Sequence, residues 1–126
     1  MLLIISVYYL MKGNIMDITK EIKAYNMKSN NGNIVPNQII IEDKKRHEYI
    51  FQSYGTTIAK VIKSHRLIGK SHFDKFIILD KDYWDYSRTT LKYLNMFLTQ
   101  YTNHTTNTKE IRKLIKNDVV ELLDLN

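Results

Sequence analysis

Residues 83–93, Tyr-Trp-Asp-Tyr-Ser-Arg-Thr-Thr-Leu-Lys-Tyr, sit where the chain must stop being strand and become helix. Before them, Lys75-Phe76-Ile77-Ile78-Leu79 is a short apolar run of the kind found in buried strands. After them, Leu91, Leu94, Leu98 and Tyr101 recur at steps of three, four and three, the spacing of one helix face. Ser87 stands where an N-cap hydroxyl is needed. The only Trp and three of the nine Tyr fall in this junction. Two readings are open for Tyr83, Trp84, Tyr86 and the neighbouring Arg88. The rings fix a corner by burying large area while their polar tips find partners, or they form an interface of the Tyr, Trp and Arg type.

Upstream, turn residues divide the chain into short segments. Asp17 to Tyr25 opens on an N-cap residue type and places Ile18, Ile22 and Tyr25 on one helical face, which predicts a short amphipathic helix. Asn30-Asn31-Gly32-Asn33 then turns the chain, and Pro36 favours extended backbone. Ile39-Ile40-Ile41 predicts a buried strand, Asp43-Lys44-Lys45-Arg46 a polar hairpin connection, and Glu48 to Ser53 a second strand. Tyr54-Gly55 interrupts the pattern as a bulge or a close backbone approach would. Thr56 to Ile62 resumes it. Thr99 to Thr108 reads as a polar linker, and Ile111, Leu114, Ile115, Val119, Leu122 and Leu123 share one stripe of a last helix over 108–123. The expected class is α+β: a short N-terminal helix, a small antiparallel β-meander of three to four strands, and two C-terminal helices.

At 126 residues the chain has room for one domain and one core. Residues 1–15 form an apolar extension that is too short to span a bilayer, for which roughly 20 apolar residues are needed. It also lacks the basic start and small-residue cleavage site of a signal peptide. Met16 is an alternative initiator. Lys12-Gly13 ahead of it would be encoded by a purine-rich sequence resembling a bacterial ribosome-binding site. Residues 1–15 are therefore expected to be a mis-assigned start, with a single domain over 16–126; the other reading makes them an extra element covering the core.

No cysteine is present, which excludes disulfides, thiolate metal sites and cysteine nucleophiles and suits a reducing cytoplasm. His47, His65, His72 and His104 have no metal-ligand spacing, and Asp80, Asp82 and Asp85 lack the mid-loop Gly and oxygen count of a calcium loop. These acids suit a turn beside a helix N-terminus. No Ser lies in a nucleophile elbow, and no glycine-rich phosphate loop exists. A binding protein without a cofactor is expected, not an enzyme.

The net charge is +6, which favours an anionic partner. Ser64 to Asp74 reads as a basic loop. Lys60, Lys63, Arg66, Lys70 and Lys75, joined by Lys44, Lys45 and Arg46 from the other turn, could form a cationic rim for phosphate contact. A solvated face is the plainer reading. The basic set holds 15 Lys against 4 Arg, whereas bidentate readers of bases and phosphates lean on Arg.

The segments Thr56-Thr57-Ile58-Ala59-Lys60 and Tyr83-Trp84-Asp85-Tyr86-Ser87-Arg88-Thr89-Thr90-Leu91-Lys92-Tyr93, with Leu79-Asp80 between them, resemble a small domain of unknown function. That domain occurs in phage and mobile-element proteins of low-GC Gram-positive bacteria. The abundance of Lys, Ile, Asn and Tyr, all with AT-rich codons, agrees with such a source. The resemblance runs over roughly residues 38–98, leaves the last helix as an individual addition, and carries no catalytic residues to transfer. It departs from the family's tight hairpin in the loop from Ser64 to Asp74. The setting implies a cytoplasmic accessory protein of the bacterial host's invader, acting by binding. The leading expectation is an anti-CRISPR inhibitor of a type II effector nuclease with its guide RNA; the alternative is a small nucleic-acid-binding protein using the basic loop.

Overall fold

A computed structural model describes residues 22–63, 75–102 and 107–126. Over these residues the chain forms a six-stranded sheet and two helices: β1 (Ile22–Lys28), β2 (Ile34–Asp43), β3 (Glu48–Ser53), β4 (Thr56–Lys63), β5 (Lys75–Asp80), α1 (Arg88–Tyr101), α2 (Thr108–Lys116) and β6 (Val120–Leu123). Spatial order follows chain order, each neighbouring pair being antiparallel except β5 and β6, which run parallel. A parallel pair requires a crossover, and α1 and α2 supply it.

Three expectations are corrected. The meander of three to four strands is a six-stranded mixed sheet. The N-terminal helix is absent from the described residues, since Ile22 to Lys28 is a strand; residues 17–21, like the extension over 1–15, lie outside them. The i, i+4, i+7 spacing of Ile18, Ile22 and Tyr25 fits a helix, but a period of two also runs through Lys23, Tyr25 and Met27. The turn at residues 30–33 folds that period back on β2, pairing Tyr25 with Ile40. The last helix stops at Lys116 and does not reach Leu123. Asp118 adopts φ 57°, its N–H donates to Ile115 O at 3.1 Å, and Val119 N–H donates to Leu114 O at 2.9 Å. This is a Schellman ending with Asp in the left-handed position. It frees Val120 to pair beside Ile77, leaving Val119, Leu122 and Leu123 exposed.

Of the remaining expectations, some hold and two are adjusted. The strand over Glu48–Ser53 has the expected bounds. Ser87 caps α1, its Oγ accepting from Thr90 N at 3.1 Å. That helix runs on through Thr99 to Tyr101, so the linker is shorter than its polar composition suggests. Tyr54-Gly55 is a tight turn and no bulge: both residues have positive φ, 52° and 79°, the type I′ pattern of a two-residue hairpin. The bulge lies just beyond. Phe51 faces Ala59 while Gln52 faces Thr57, so Ile58 is the extra residue, and both Ile58 and Ala59 are buried.

The core lies between one face of the sheet and the two helices. Ile40, Phe51, Val61, Ile77 and Leu79 meet Leu94, Phe97, Leu98, Ile111 and Leu114. Burying a large apolar side chain stabilises by about 1.5–3 kcal/mol, so the sheet face and α1 hold each other in place. The opposite face carries half-buried Ile39, Ile41, Ile50 and Ile62.

Candidate functional site

Strand direction gives the sheet two chemically distinct ends. One carries the β2–β3 hairpin, the close of β4 and the start of β5. The other carries the Tyr54-Gly55 turn, the corner after β5 and the C-terminal residues.

At the hairpin end the structure places most of the described basic candidates. Lys44, Lys45 and Arg46 are exposed in the turn, and Arg46 pairs with Asp43 at 3.8 Å. Lys63 N–H donates to His47 O at 2.7 Å, and Lys63 faces Lys75 across β4 and β5. Alternation along β4 divides the remaining two. Lys60 sits on the face away from the helices, paired with Glu48 at 3.4 Å. Lys63 sits on the helix side, its ammonium 5.2 Å from the Tyr49 ring centre and 5.7 Å from that of Tyr101. Arg66 and Lys70, with the rest of the loop over 64–74, lie outside the described residues, as do His65, His72 and His104.

The same end holds a phenol–carboxylate network. Tyr101 donates to Glu42 Oε2 at 2.6 Å, Tyr25 donates to the same oxygen at 3.0 Å, and the two hydroxyls lie 2.6 Å apart. Burial pushes the Tyr101 hydroxyl far above the usual tyrosine range, and the Glu42 carboxylate pushes the same way. A phenol held so firmly neutral is a poor base or nucleophile. Its ring stacks on Tyr49 at 4.8 Å and leans on Phe97 at 5.1 Å, which makes the network a structural anchor.

The other end is organised by Asp80. Its carboxylate is buried and accepts from Asp82 N (3.1 Å), Tyr83 N (2.9 Å), Leu125 N (2.8 Å) and Asn126 Nδ2 (3.0 Å). Burial alone would raise its pKa, but these donors outweigh burial and hold it below the usual carboxylate value. Asn126 also clamps Thr57, accepting from its N–H at 2.8 Å and donating to its carbonyl at 2.9 Å. The bond network fixes the corner after β5 against β4 and the C-terminal residues.

That corner sorts the aromatic run. Trp84 turns inward, 6% exposed, under the Arg112 guanidinium at 5.1 Å, and Arg112 also reaches Asp85 at 3.6 Å. Tyr83 and Tyr86 turn outward, 41% and 74% exposed, their rings edge to face at 5.9 Å. Arg88 is exposed on the first turn of α1. Across a cleft of about 630 Å³ stands Tyr54, 64% exposed. Ile58, Ser53 and Thr90 line the interior, the two hydroxyls 3.0 Å apart, and Thr56, Ser87, Thr89 and Asn126 complete the wall.

Sequence reasoning missed Tyr54, Thr89, Thr90 and Asn126. A signal existed for Tyr54: it occupies the first central position of a type I′ turn, where Asn or Asp is the usual choice. Among the described residues no group of His, Asp and Glu is placed to hold a metal ion, and no helix is long and apolar enough to cross a membrane. The arrangement offers aromatic faces and hydroxyls, which suits recognition.

Comparison with curated proteins and with solved structures gave no match. A family model matches residues 22–113, from the first residue of β1 into α2, so α2 is no individual addition. The match covers most of the chain, which therefore belongs to the family of unknown function designated DUF8033.

Proposed function

We propose that this protein acts by binding, without catalysis, and that the tyrosine-rimmed cleft is its contact surface for a protein partner. The observation that carries this is the outward presentation of Tyr54, Tyr83 and Tyr86 around one opening by a corner that buries its other large ring, Trp84. Tyrosine combines large contact area with few rotors and a polar tip, the profile of an interface anchor. The resemblance to small proteins of phages and mobile elements supplies the setting: a cytoplasmic accessory factor inhibiting a host defence complex, specifically a type II CRISPR effector nuclease with its guide RNA. Affinity capture of that nuclease, with and without guide RNA, tests the reading. Capture by the unaltered chain and loss with Tyr54→Asn or Tyr86→Ala supports it; equal capture by all three overturns the cleft as the contact.

A second reading has one observation in its favour. Lys44, Lys45, Lys63 and Lys75 share the sheet end from which the connection over 64–74 leaves. Such an end suits phosphate contact by a small nucleic-acid-binding protein. A salt-dependent gel shift abolished by Lys44→Glu with Lys45→Glu, with no nuclease capture, favours this alternative.

A further inference from the structure

We propose that the tyrosine cleft takes an extended, proline-containing segment of the partner in polyproline II conformation; this rests on the cleft being the protein contact. The first argument is charge. Among the described residues, no side chain lining the cleft is charged at neutral pH. A nucleic-acid strand, a phosphopeptide or an acidic peptide would bring negative charge to a wall with no cation to meet it.

The second argument is the pairing of ring faces with hydroxyls. A polyproline II segment has no internal hydrogen bonds, so its carbonyls seek donors while its pyrrolidine rings seek flat apolar walls. Grooves that read such segments are lined by aromatic residues. Here Tyr83 and Tyr86 brace each other edge to face, Tyr54 lines the same cleft, and the Thr89 hydroxyl lies in its wall. The volume, about 630 Å³, lies within the roughly 300–1,000 Å³ usual for a ligand cleft.

The third argument is backbone cost. Tyr54 holds φ 52°, a region that bulky residues avoid, yet its ring is left 64% exposed. Its N–H donates to Asn37 O at 2.8 Å, which fixes the turn. Folding gains little from an exposed ring in a disfavoured conformation. A partner would gain a rigid platform that loses little freedom on binding.

The test is titration of the full chain with decaproline, followed by NMR and intrinsic fluorescence, with oligo-dT and cellohexaose as competing ligand classes. Saturable decaproline binding is expected, weakened about tenfold or more by Tyr86→Ala and by Tyr54→Asn and unchanged by Lys44→Glu. Thermal melts keep the result interpretable, because Tyr54→Asn should fold at least as well as the parent. Absence of saturable decaproline binding overturns the proposal, as does indifference to both tyrosine changes or preference for oligo-dT or cellohexaose. If decaproline fails while Tyr54→Asn still abolishes nuclease capture, the ligand class falls and the cleft stands. If capture survives both tyrosine changes, the cleft reading falls with it.

Discussion

Toward the hairpin end of the sheet, Tyr25, Tyr49 and Tyr101 direct their rings and hydroxyls at one another, at Glu42 and at Lys63. Toward the opposite end, Tyr54, Tyr83 and Tyr86 stand around an open cleft, and a buried aspartate beneath them does the structural work. The same residue type thus closes one end of the fold and furnishes the other. The difference lies in what surrounds it. A carboxylate and an ammonium satisfy the first set from within, whereas the second is set on a turn and a corner whose backbone is already fixed.

The contrast is sharpest in stability. Tyr101→Ala removes a buried ring from a stack with Tyr49 and Phe97 and should cost about 3–5 kcal/mol in urea unfolding. Tyr86→Ala should stay within about 0.5 kcal/mol of the parent. Comparable losses from both would erase the distinction.

Next in size, Asp80→Ala leaves backbone N–H groups of Asp82, Tyr83 and Leu125 without their acceptor. The expected loss is roughly 2–4 kcal/mol. Because the folded-state pKa is depressed, Asp80 stabilises above the ordinary carboxylate pKa of 3.8, and the contribution fades as pH falls through the lower folded value. Unfolding measured on both sides of that value should show a steeper acid slope in the parent than in Asp80→Asn.

Alkaline pH probes the other end. The Tyr101 hydroxyl is raised from 10.0, so its contribution is fully present below that pH and declines as pH rises above it. Tyr101→Phe should flatten this alkaline decline.

A smaller effect carries the opposite sign. Tyr54→Asn places a residue tolerant of positive φ at 52° and should stabilise by about 0.5–1 kcal/mol. A destabilisation would show that the Tyr54 ring supports the fold.

Much of the local structure was legible where one residue decides it: the Ser87 cap, the turn at residues 30–33 and the bounds of β3. What failed was set by distance. Tyr25 shares a helical spacing with Ile22 and a strand spacing with Met27, and only pairing with β2 decides between them. The stripe from Ile111 to Leu123 continues across Asn117-Asp118 by coincidence, although these are residues suited to ending a helix. Nothing local announces that β6 will lie parallel to β5, because that contact follows from the whole α1–α2 crossover.

The site divided in the same way. A corner at Tyr83 to Ser87 could be read from the chain, but not which rings turn outward, since Arg112 and Asp80 decide that from elsewhere in the sequence. Tyr54 joins the cleft only through the order of the strands. Nor could the chain show that strand alternation sends Lys60 and Lys63 to opposite faces of the sheet.

One measurement tests the central claim most directly: capture of a guide-loaded type II effector nuclease by Tyr54→Asn and by Lys44→Glu with Lys45→Glu, beside the parent. Capture should be lost in the tyrosine variant, which melts no lower than the parent, and retained in the charge-reversed one. Retention by Tyr54→Asn together with loss on charge reversal would contradict the account and move the functional surface to the hairpin end.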